Sequence, residues 1–412
     1  MSEHYRRTEL GDGLVVLTEA MPGLRSASLG IWVRAGSVTE RPEEMGVSHL
    51  LEHMVFKGTR RRTARELALV LERVGGSLDA YTTREHTSFQ ARVLDEHVDL
   101  ALDVLGDLVL DPLLRESDLE LEREVVLEEI ATVEDTPDDL CFDLHATALW
   151  GDHPYGYSIL GTRDTVAALR AADLERTHRA LYHPGNLVFA AAGNIDHERF
   201  VAQVAALMAG RGAGPAATLP GLPNGGAPAG VSRVERSTAQ THIVFGARCF
   251  GHGDPRRYAL VLLSSAFGGG MSSRLFQRVR EELGLAYAVF SYQSFYHDAG
   301  YVGLYVGTRS EFADRAEAVL REELARLGSG GLTAEELHDV KGQVKGQIAL
   351  SLESSSARLH RLAGAALYGE PFRSLEEVVA RVDSVTLEEV AALAATYYDP
   401  DRQTVLRLGP LA

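Results

Sequence analysis

Short apolar stretches that predict β-strands recur along the chain, separated by segments with the 3.6-residue period of an amphipathic helix. The same order of elements occurs twice. In the first half the elements are predicted at Ser26–Val33, around His49 to His53, and at Ser77–Tyr81, Thr87–Val93, Arg115–Val133, Ala172–Leu181 and Leu187–Ala192. In the second half they are predicted at Thr241–Ala247, Arg257–Phe267, Tyr287–Ser291, Tyr301–Gly307, Thr333–Leu352, Leu387–Tyr397 and Thr404–Leu408. This repeat predicts a duplicated α+β fold, in which each domain is a mainly antiparallel sheet with helices packed on it.

A segment rich in Gly, Ala and Pro separates the two halves. Ala209–Gly230 has almost no charge and no hydrophobic period, which is typical of a flexible connector. We therefore predict a metal-bearing domain over residues 1–208, a linker over 209–230 and a second, metal-free domain over 231–412.

The pattern H-x-x-E-H occurs once in the first half, at His49, Glu52 and His53. Residues i and i+4 of a helix share a face, so both imidazoles can reach one metal ion and Glu52 points into the same space. Two histidine ligands, a nearby carboxylate and an open coordination position suit a hydrolytic zinc site, although the pattern also arises by chance. In the second half, Leu263 and Ser264 stand opposite Glu52 and His53, so the shared fold does not require the pattern.

A further metal ligand is predicted on the acidic helix that follows. Its apolar stripe, with a period of 3.6 residues, consists of Leu119, Val126, Ile130 and Val133. Glu122 and Glu129 fall within this stripe, whereas Glu124 and Glu128 fall on the opposite face. A carboxylate on a buried face is costly unless it is paired or metal-bound, so Glu129 is predicted as the third ligand. Glu122 is predicted to hydrogen-bond a ligating histidine, or else to form a buried ion pair with an arginine.

Charge and cysteine content narrow the class of protein. The formal net charge of −17 argues against nucleic acid as a partner, because phosphates require a basic surface. Two cysteines, Cys141 and Cys249, predict no disulfide framework and favour a reducing compartment. The chain shows neither the apolar core of a signal peptide nor a run of 18 apolar residues. We therefore expect a cytoplasmic protein without a membrane partner.

These motifs together resemble the pitrilysin/insulinase family of zinc peptidases, the inverzincins, in their bacterial branch that is similar to mitochondrial processing peptidase. The resemblance covers essentially the whole chain. It rests on Gly46–Thr59, on Glu122 and Arg123 with Glu129 placed 76 residues after His53, on Gly75–Thr87, and on Gly268–Leu275 followed by Arg280 and Tyr287.

The resemblance implies a zinc-dependent endopeptidase that cleaves peptides or unfolded protein segments inside a closed chamber, with one zinc ion per chain. Glu52 would assist the attack of zinc-bound water. Arg280 and Tyr287 would contact the substrate or transition state from the second domain, although Arg280 could instead form a surface ion pair and Tyr287 could be a core aromatic. A homodimer with composite active sites is implied, and a heterodimer is the alternative.

Two other functions remain open from the sequence. The chain could be a non-catalytic or processing subunit of a hetero-oligomeric peptidase, or a metal hydrolase that does not act on peptides. The zinc content of the protein separates the first possibility from a peptidase, and a peptide digest compared with small esters separates the second.

The surroundings of the motifs give three further expectations. A peptide substrate is expected to add as a strand along Ser77–Tyr81. His86 is expected to be a hydrogen-bonded structural residue or a group that supports the metal site. The run Gly268–Gly270 lacks the Lys-Ser/Thr ending of a phosphate loop, so a flexible turn is expected there.

Overall fold

Two mixed β-sheets organise the chain in the computed structural model, which describes residues 4–223 and 229–410. Within these ranges the first sheet has six strands: β1 (His4–Glu9), β2 (Val15–Ala20), β3 (Ser26–Val33), β4 (Ser77–Thr82), β5 (Thr87–Leu94) and β6 (Leu187–Gly193). Their order across the sheet is β1-β2-β6-β3-β5-β4. Strands β2 and β6 pair in parallel, and the other neighbours are antiparallel.

The second sheet has five strands among the described residues. They are β7 (Gly230–Glu235), β8 (Thr241–Phe250), β9 (Ala286–Phe295), β10 (Ala299–Thr308) and β11 (Thr404–Gly409). Their order is β7-β11-β8-β10-β9, with one parallel pair, β7 with β11, followed by three antiparallel pairs. The first sheet repeats this topology in β2-β6-β3-β5-β4 and adds β1. The duplicated, mainly antiparallel α+β fold is therefore confirmed.

The helices cover both faces of each sheet. Before the linker they are α1 (Val47–Val55), α2 (Ala64–Glu72), α3 (Val98–Leu110), α4 (Glu116–Asp135), α5 (Pro137–Trp150), α6 (Arg163–Ala168), α7 (Ala171–Leu181) and α8 (His197–Met208). After it they are α9 (Arg257–Gly268), the π-helical segment Phe276–Glu282, α10 (Ala313–Gly330), α11 (Ala334–Ser351), α12 (Ser355–Leu367), α13 (Leu375–Ser384) and α14 (Leu387–Tyr397). No helix in the described part of the chain combines the length and apolar character needed to cross a membrane.

The core around the first sheet has two layers, because successive strand residues point to opposite faces of the sheet. Val16, Leu29 and Ile31 face a large core that also contains residues of α1, α3, α4, α7 and α8. Val15, Leu17 and Trp32 face the other side, where Leu359, Leu362 and Ala363 of α12 cover them. The sheet is therefore buried on both faces.

The core around the second sheet is built in the same way. Ile243 and Phe245 face a core shared with α9, α10, α11 and α14. Val244, Leu406 and Leu408 face the other side, where Leu140 and Cys141 of α5 pack on them.

Chain contacts divide the molecule differently from the linear division at residues 208 and 231. The first unit comprises residues 1–131, 157–220 and 351–372, and the second comprises residues 132–156, 221–350 and 373–412. Helix α5 thus belongs to the second unit although it precedes the linker, and α12 belongs to the first although it follows the linker. The physical reason is burial, since each helix joins the sheet whose apolar face it covers.

The predicted linker is described only in part, because residues 224–228 lie outside the described ranges. Residues 211–223 form neither helix nor strand. The first part of this segment is nevertheless held to the first unit, where the Ala217 amide donates a hydrogen bond of 3.0 Å to the Asn186 side chain.

Candidate metal centre

Helix α1 presents His49 and His53 on one face because its other side is buried. Leu50, Leu51 and Met54 are completely buried in the core of the first unit. The two imidazole rings lie side by side, with their centroids 4.5 Å apart. This is the arrangement expected for positions i and i+4 of a helix.

The start of α1 is fixed by a buried carboxylate. Glu40 accepts hydrogen bonds of 2.8 Å from the backbone amides of Gly46 and Ser48, which would otherwise be free at the helix N-terminus. Burial raises the pKa of Glu40 to about 7, against the effect of these hydrogen bonds. Gly46 has a φ of +91°, and a Cβ there would lie 2.5 Å from the Leu160 carbonyl oxygen, so the turn into α1 requires glycine.

Helix α4 places Glu122 and Glu129 on the side that faces α1. Leu119, Val126 and Ile130 are buried as the periodicity predicts, and Val133 is half-buried. Glu122 is 5% exposed within this stripe, whereas 41% of the Glu129 side chain is accessible. Glu124 and Glu128 are exposed, as expected for the opposite face.

The donor atoms of His49, His53 and Glu129 converge on one point. Glu129 Oε2 lies 3.7 Å from His49 Nε2 and 3.7 Å from His53 Nε2. Within the described residues, these three form the group whose ligand atoms all lie within 4.8 Å of one another. A separation of 3.7 Å is too long for a hydrogen bond. It is close to the ~3.4 Å between two ligands of a tetrahedral ion with bonds of ~2.1 Å, so the donor set fits zinc.

Glu122 orients His53. Its Oε1 lies 2.9 Å from His53 Nδ1, and its Oε2 pairs with Lys57, so the partner is a lysine rather than an arginine. Burial would raise the pKa of Glu122, but hydrogen bonds from His53 and Lys57 outweigh it and lower the pKa. Glu122 therefore remains a carboxylate that accepts a hydrogen bond from Nδ1–H of His53, which leaves Nε2 free to bind a metal.

The electrostatic environment differs between the two histidines. Burial, with a smaller contribution from His53, lowers the pKa of His49 to about 4, so its imidazole is neutral at pH 7. Burial also acts to lower the pKa of His53, but the Glu122 hydrogen bond and the charges of Glu129 and Glu122 raise it overall. The negative charges of Glu122 and Glu129 thus stabilise a positive charge at His53. A metal cation bound between these side chains would supply that positive charge in place of the proton.

Glu52 lies beside the donor set and is 9% exposed. Its Oε2 accepts a hydrogen bond of 2.6 Å from Thr82 at the end of β4. Burial raises the pKa of Glu52, against the lowering effects of Thr82 and His53. Among the described residues no hydrogen bond to Oε1 occurs, so this oxygen can accept a proton.

Three supporting residues were not predicted from the sequence: Glu40, Lys57 and Thr82. The alternation of β4 would have placed Thr82 on the same face as Ala80, and Lys57 lies four residues after His53. Glu40 stands in an irregular segment, where no period indicates the direction of a side chain.

Arg280 and Tyr287 lie together in the second unit. The Arg280 guanidinium sits 4.4 Å from the centroid of the Tyr287 ring and donates a hydrogen bond of 3.2 Å to the Tyr287 carbonyl oxygen. Tyr287 is 76% exposed, so it is not a core aromatic. A weak ion pair also joins Arg280 to Glu281 at 3.7 Å. The pair forms an accessible cationic and aromatic surface.

His86 has the features of a structural residue. Its Nδ1 lies 3.2 Å from the Thr83 hydroxyl, and its ring packs edge-on against Tyr81 at 5.8 Å. Burial lowers its pKa to about 4, so the ring is neutral at pH 7.

A turn was expected at Gly268–Gly270. Helix α9 continues through Gly268, so the chain leaves the helix only at Gly269.

Comparison with known proteins places the chain in a family. The family model described as Insulinase (Peptidase family M16) matches residues 15–163, and the model described as Peptidase M16 inactive domain matches residues 168–344. The chain belongs to peptidase family M16. The family predicted from the motifs is thereby confirmed, and the M16 insulinase match contains the whole donor set.

Bacterial relatives match nearly the full length of the chain. An uncharacterized zinc protease of Streptomyces coelicolor is 41% identical over 98% of this chain and 90% of its own length. The uncharacterized zinc protease YmxG of Bacillus subtilis is 38% identical over 96% of both chains.

Solved structures show the same fold. A peptidase M16 inactive domain from Pseudomonas fluorescens superposes with a TM-score of 0.92, covering 99% of this chain and 98% of its own at 22% identity. A protease from Helicobacter pylori gives 0.91, covering 99% and 100% at 21% identity.

Proposed function

We propose that this chain is a zinc-dependent endopeptidase that cleaves peptides or unfolded protein segments. The observation that carries the proposal is the convergence of His49, His53 and Glu129 beside Glu52, a buried carboxylate with one oxygen free to take a proton. Membership of the M16 family and the zinc-protease names of the relatives support it.

The two imidazoles and Glu129 would hold one zinc ion per chain. When bound, zinc would supply a Lewis acid that lowers the pKa of a coordinated water toward 7. Glu122 keeps His53 in the tautomer that offers Nε2, and Lys57 holds Glu122 in turn. These contacts orient the His53 ring without a bound metal ion.

Glu52 is proposed to move the proton during hydrolysis. The Thr82 hydroxyl already donates a hydrogen bond to Oε2 of Glu52, so the proton of the attacking water goes to Oε1. The raised pKa of Glu52 allows it to hold this proton and then give it to the nitrogen of the leaving amine. The same carboxyl group thus acts first as a base and then as an acid.

Strand β4 is proposed to bind the substrate backbone. It is the outermost strand on its side of the first sheet, and its last residue, Thr82, contacts Glu52. A peptide that adds to this edge in extended form passes directly beside Glu52. A folded protein cannot adopt that conformation, which favours peptides and unfolded segments.

We also propose that two copies of the chain associate and enclose the substrate in a chamber. Arg280 and Tyr287 of one copy would contact the substrate held by the metal-bearing unit of the other. The exposed Tyr287 ring and the half-buried Arg280 guanidinium beside it support this role, because they offer a hydroxyl and a cation to a developing negative charge. A cytoplasmic location suits the free thiols of Cys141 and Cys249.

Replacement of Glu52 by Gln tests the proposed chemistry. Glu52→Gln should retain zinc but lose turnover of an unstructured peptide by about 10³-fold, since the amide cannot accept the proton. Glu124→Gln, on the exposed face of α4, is the matched control and should leave turnover unchanged. Full peptidase activity in Glu52→Gln would refute the mechanism.

A non-catalytic partner subunit is the second candidate, because the model that matches residues 168–344 is described as an inactive domain. The converged donor set in the first unit favours a catalytic chain. Zinc analysis of the purified protein decides between them, since a partner without a working site would hold little metal.

A further inference from the structure

Arg280 is held mainly by aromatic rings rather than by carboxylates. It lies in the π-helical segment Phe276–Glu282 of the second unit, a form of helix that is rare and frequent at functional sites. Its Cζ atom lies 4.7 Å from the centroid of the Phe276 ring and 4.4 Å from that of the Tyr287 ring. The guanidinium therefore packs against two aromatic rings, one from its own helical segment and one from β9.

This arrangement leaves hydrogen-bond donors of Arg280 open. The neighbouring Arg278 donates a hydrogen bond of 2.7 Å to Glu282, so a carboxylate engages it. Arg280 Nη1 donates to the Tyr287 carbonyl oxygen at 3.2 Å, but the 3.7 Å between Nε and Glu281 is too long for a hydrogen bond. Within the described residues, Nε and Nη2 of Arg280 make no hydrogen bond. Because the rings attract the charge through their faces, they do not occupy these donors.

Phe276 is placed to keep Arg280 in this position. It precedes Arg280 by four residues, so the two side chains lie on the same side of the helical segment. The Phe276 side chain is half-buried, whereas Tyr287 is 76% exposed. Phe276 is thus the more firmly packed of the two rings, and Tyr287 stays accessible beside the guanidinium.

We propose that Phe276 is a positioning residue, which holds the Arg280 guanidinium beside Tyr287 and leaves its remaining N–H groups free to contact the substrate. The inference rests on the proposed peptidase function, in which Arg280 stabilises a developing negative charge. An arginine side chain has many rotamers, and donors that are already fixed stabilise a transition state better than donors that must first be ordered. Phe276 supplies this order without touching the substrate itself.

Chemical labelling of the full chain tests the contact without any need for peptidase activity. Phenylglyoxal modifies arginine side chains, and mass spectrometry of proteolytic fragments gives the rate at Arg280. Loss of the ring in Phe276→Leu should raise this rate about fivefold, the factor expected when one cation–π contact is removed. Phe276→Tyr keeps a ring at the same place and should keep the slow rate.

The matched control for the labelling is Phe312→Leu. Phe312 packs on a different arginine of the same unit, since Arg309 Cζ lies 4.3 Å from the centroid of its ring. This change should leave the rate at Arg280 as it is in the unaltered chain. An unchanged rate in Phe276→Leu would overturn the proposal, because the ring would then not hold the guanidinium.

A double-mutant cycle separates positioning from general packing. In a peptide assay, Phe276→Leu should lower kcat about fivefold and leave KM nearly unchanged, because the interaction that it supports is made in the transition state. On the residual activity of Arg280→Ala the same change should have no further effect, since the side chain that Phe276 holds is gone. Phe276→Tyr should keep the normal kcat.

Effects of the two changes that simply multiply would show that Phe276 acts apart from Arg280, and this too would overturn the proposal. If the unaltered chain cleaves no peptide, the peptidase function fails. The labelling rates alone then still decide whether Phe276 holds Arg280.

Discussion

Glu52 shows how neighbouring residues set the chemistry of a single side chain. Burial acts to raise its pKa, and the hydrogen bond from Thr82 and the charge of His53 act to lower it. The result is a raised pKa, which suits a group that must both accept and release a proton near neutral pH. Thr82 therefore tunes the base in addition to positioning it.

Replacement of Thr82 by Val tests this tuning. The hydrogen bond lowers the pKa of Glu52, so its loss should raise that pKa further. Since Glu52 must be ionised to accept a proton, the acid limb of the kcat/KM profile should move to higher pH. A shift of about 0.7 unit corresponds to one hydrogen bond of about 1 kcal/mol.

The matched control is Ser77→Ala, at the exposed start of the same strand. Its pH profile should coincide with that of the unaltered chain. If the acid limb of Thr82→Val also stays in place, Glu52 does not act as the base.

The placement of the three proposed ligands on their helix faces could be predicted from the sequence, because it follows from helical period. His49 and His53 are four residues apart, and Glu129 lies within an apolar stripe. The hydrogen bond of Glu122 to a ligating histidine was predicted from the same stripe, but the contacts of Thr82 with Glu52 and of Lys57 with Glu122 join residues far apart in sequence. No local period encodes such distances, so these partners follow only from the folded chain.

Helices α5 and α12 each pack on the sheet of the other half of the chain. Helix α5 covers one face of the second sheet, and α12 covers one face of the first. A buried ion pair anchors α12, in which Arg358 of the helix bonds Glu19 of β2. Their side chains are 7% and 0% exposed, and Arg358 Nε also donates to the Leu352 carbonyl oxygen at 2.6 Å.

Removal of Arg358 should therefore weaken the first unit. Arg358→Met leaves Glu19 buried without its counter-charge, which should cost about 3–5 kcal/mol of unfolding free energy. Urea unfolding followed by circular dichroism measures this loss. The double variant Glu19→Gln/Arg358→Met should recover most of it, because no buried charge then remains.

Equal losses in the single and double variants would show that packing, rather than charge, holds α12.

The paired strands and most of the repeated helices could be predicted because their patterns occur twice. Strand β3 and helix α14 have the predicted bounds, and α4 differs by one or two residues at its ends. The sheet that α5 or α12 covers could not be predicted in this way. Periodicity shows that a helix has an apolar face, but it does not show which sheet that face will cover.

At the scale of the whole molecule, the proposed composite active site predicts complementation between two inactive chains. Mixing Arg280→Ala with Glu52→Gln and allowing the subunits to exchange should restore about a quarter of the normal peptidase activity. Half of the random dimers would be mixed, and each would contain one intact site.

A mixture of Glu52→Gln with Glu129→Ala is the control, since both changes lie in the same half of the site. It should stay inactive. If the first mixture also stays inactive after subunit exchange, each chain works without its neighbour.

The zinc content of three purified proteins tests the metal centre most directly. After dialysis against a weak chelator, mass spectrometry of the metal should find about one zinc ion per chain in the unaltered protein and in Glu128→Ala, whose carboxylate is on the exposed face of α4. Glu129→Ala should have lost most of its zinc. Zinc held as firmly by Glu129→Ala as by Glu128→Ala would contradict the three-residue site.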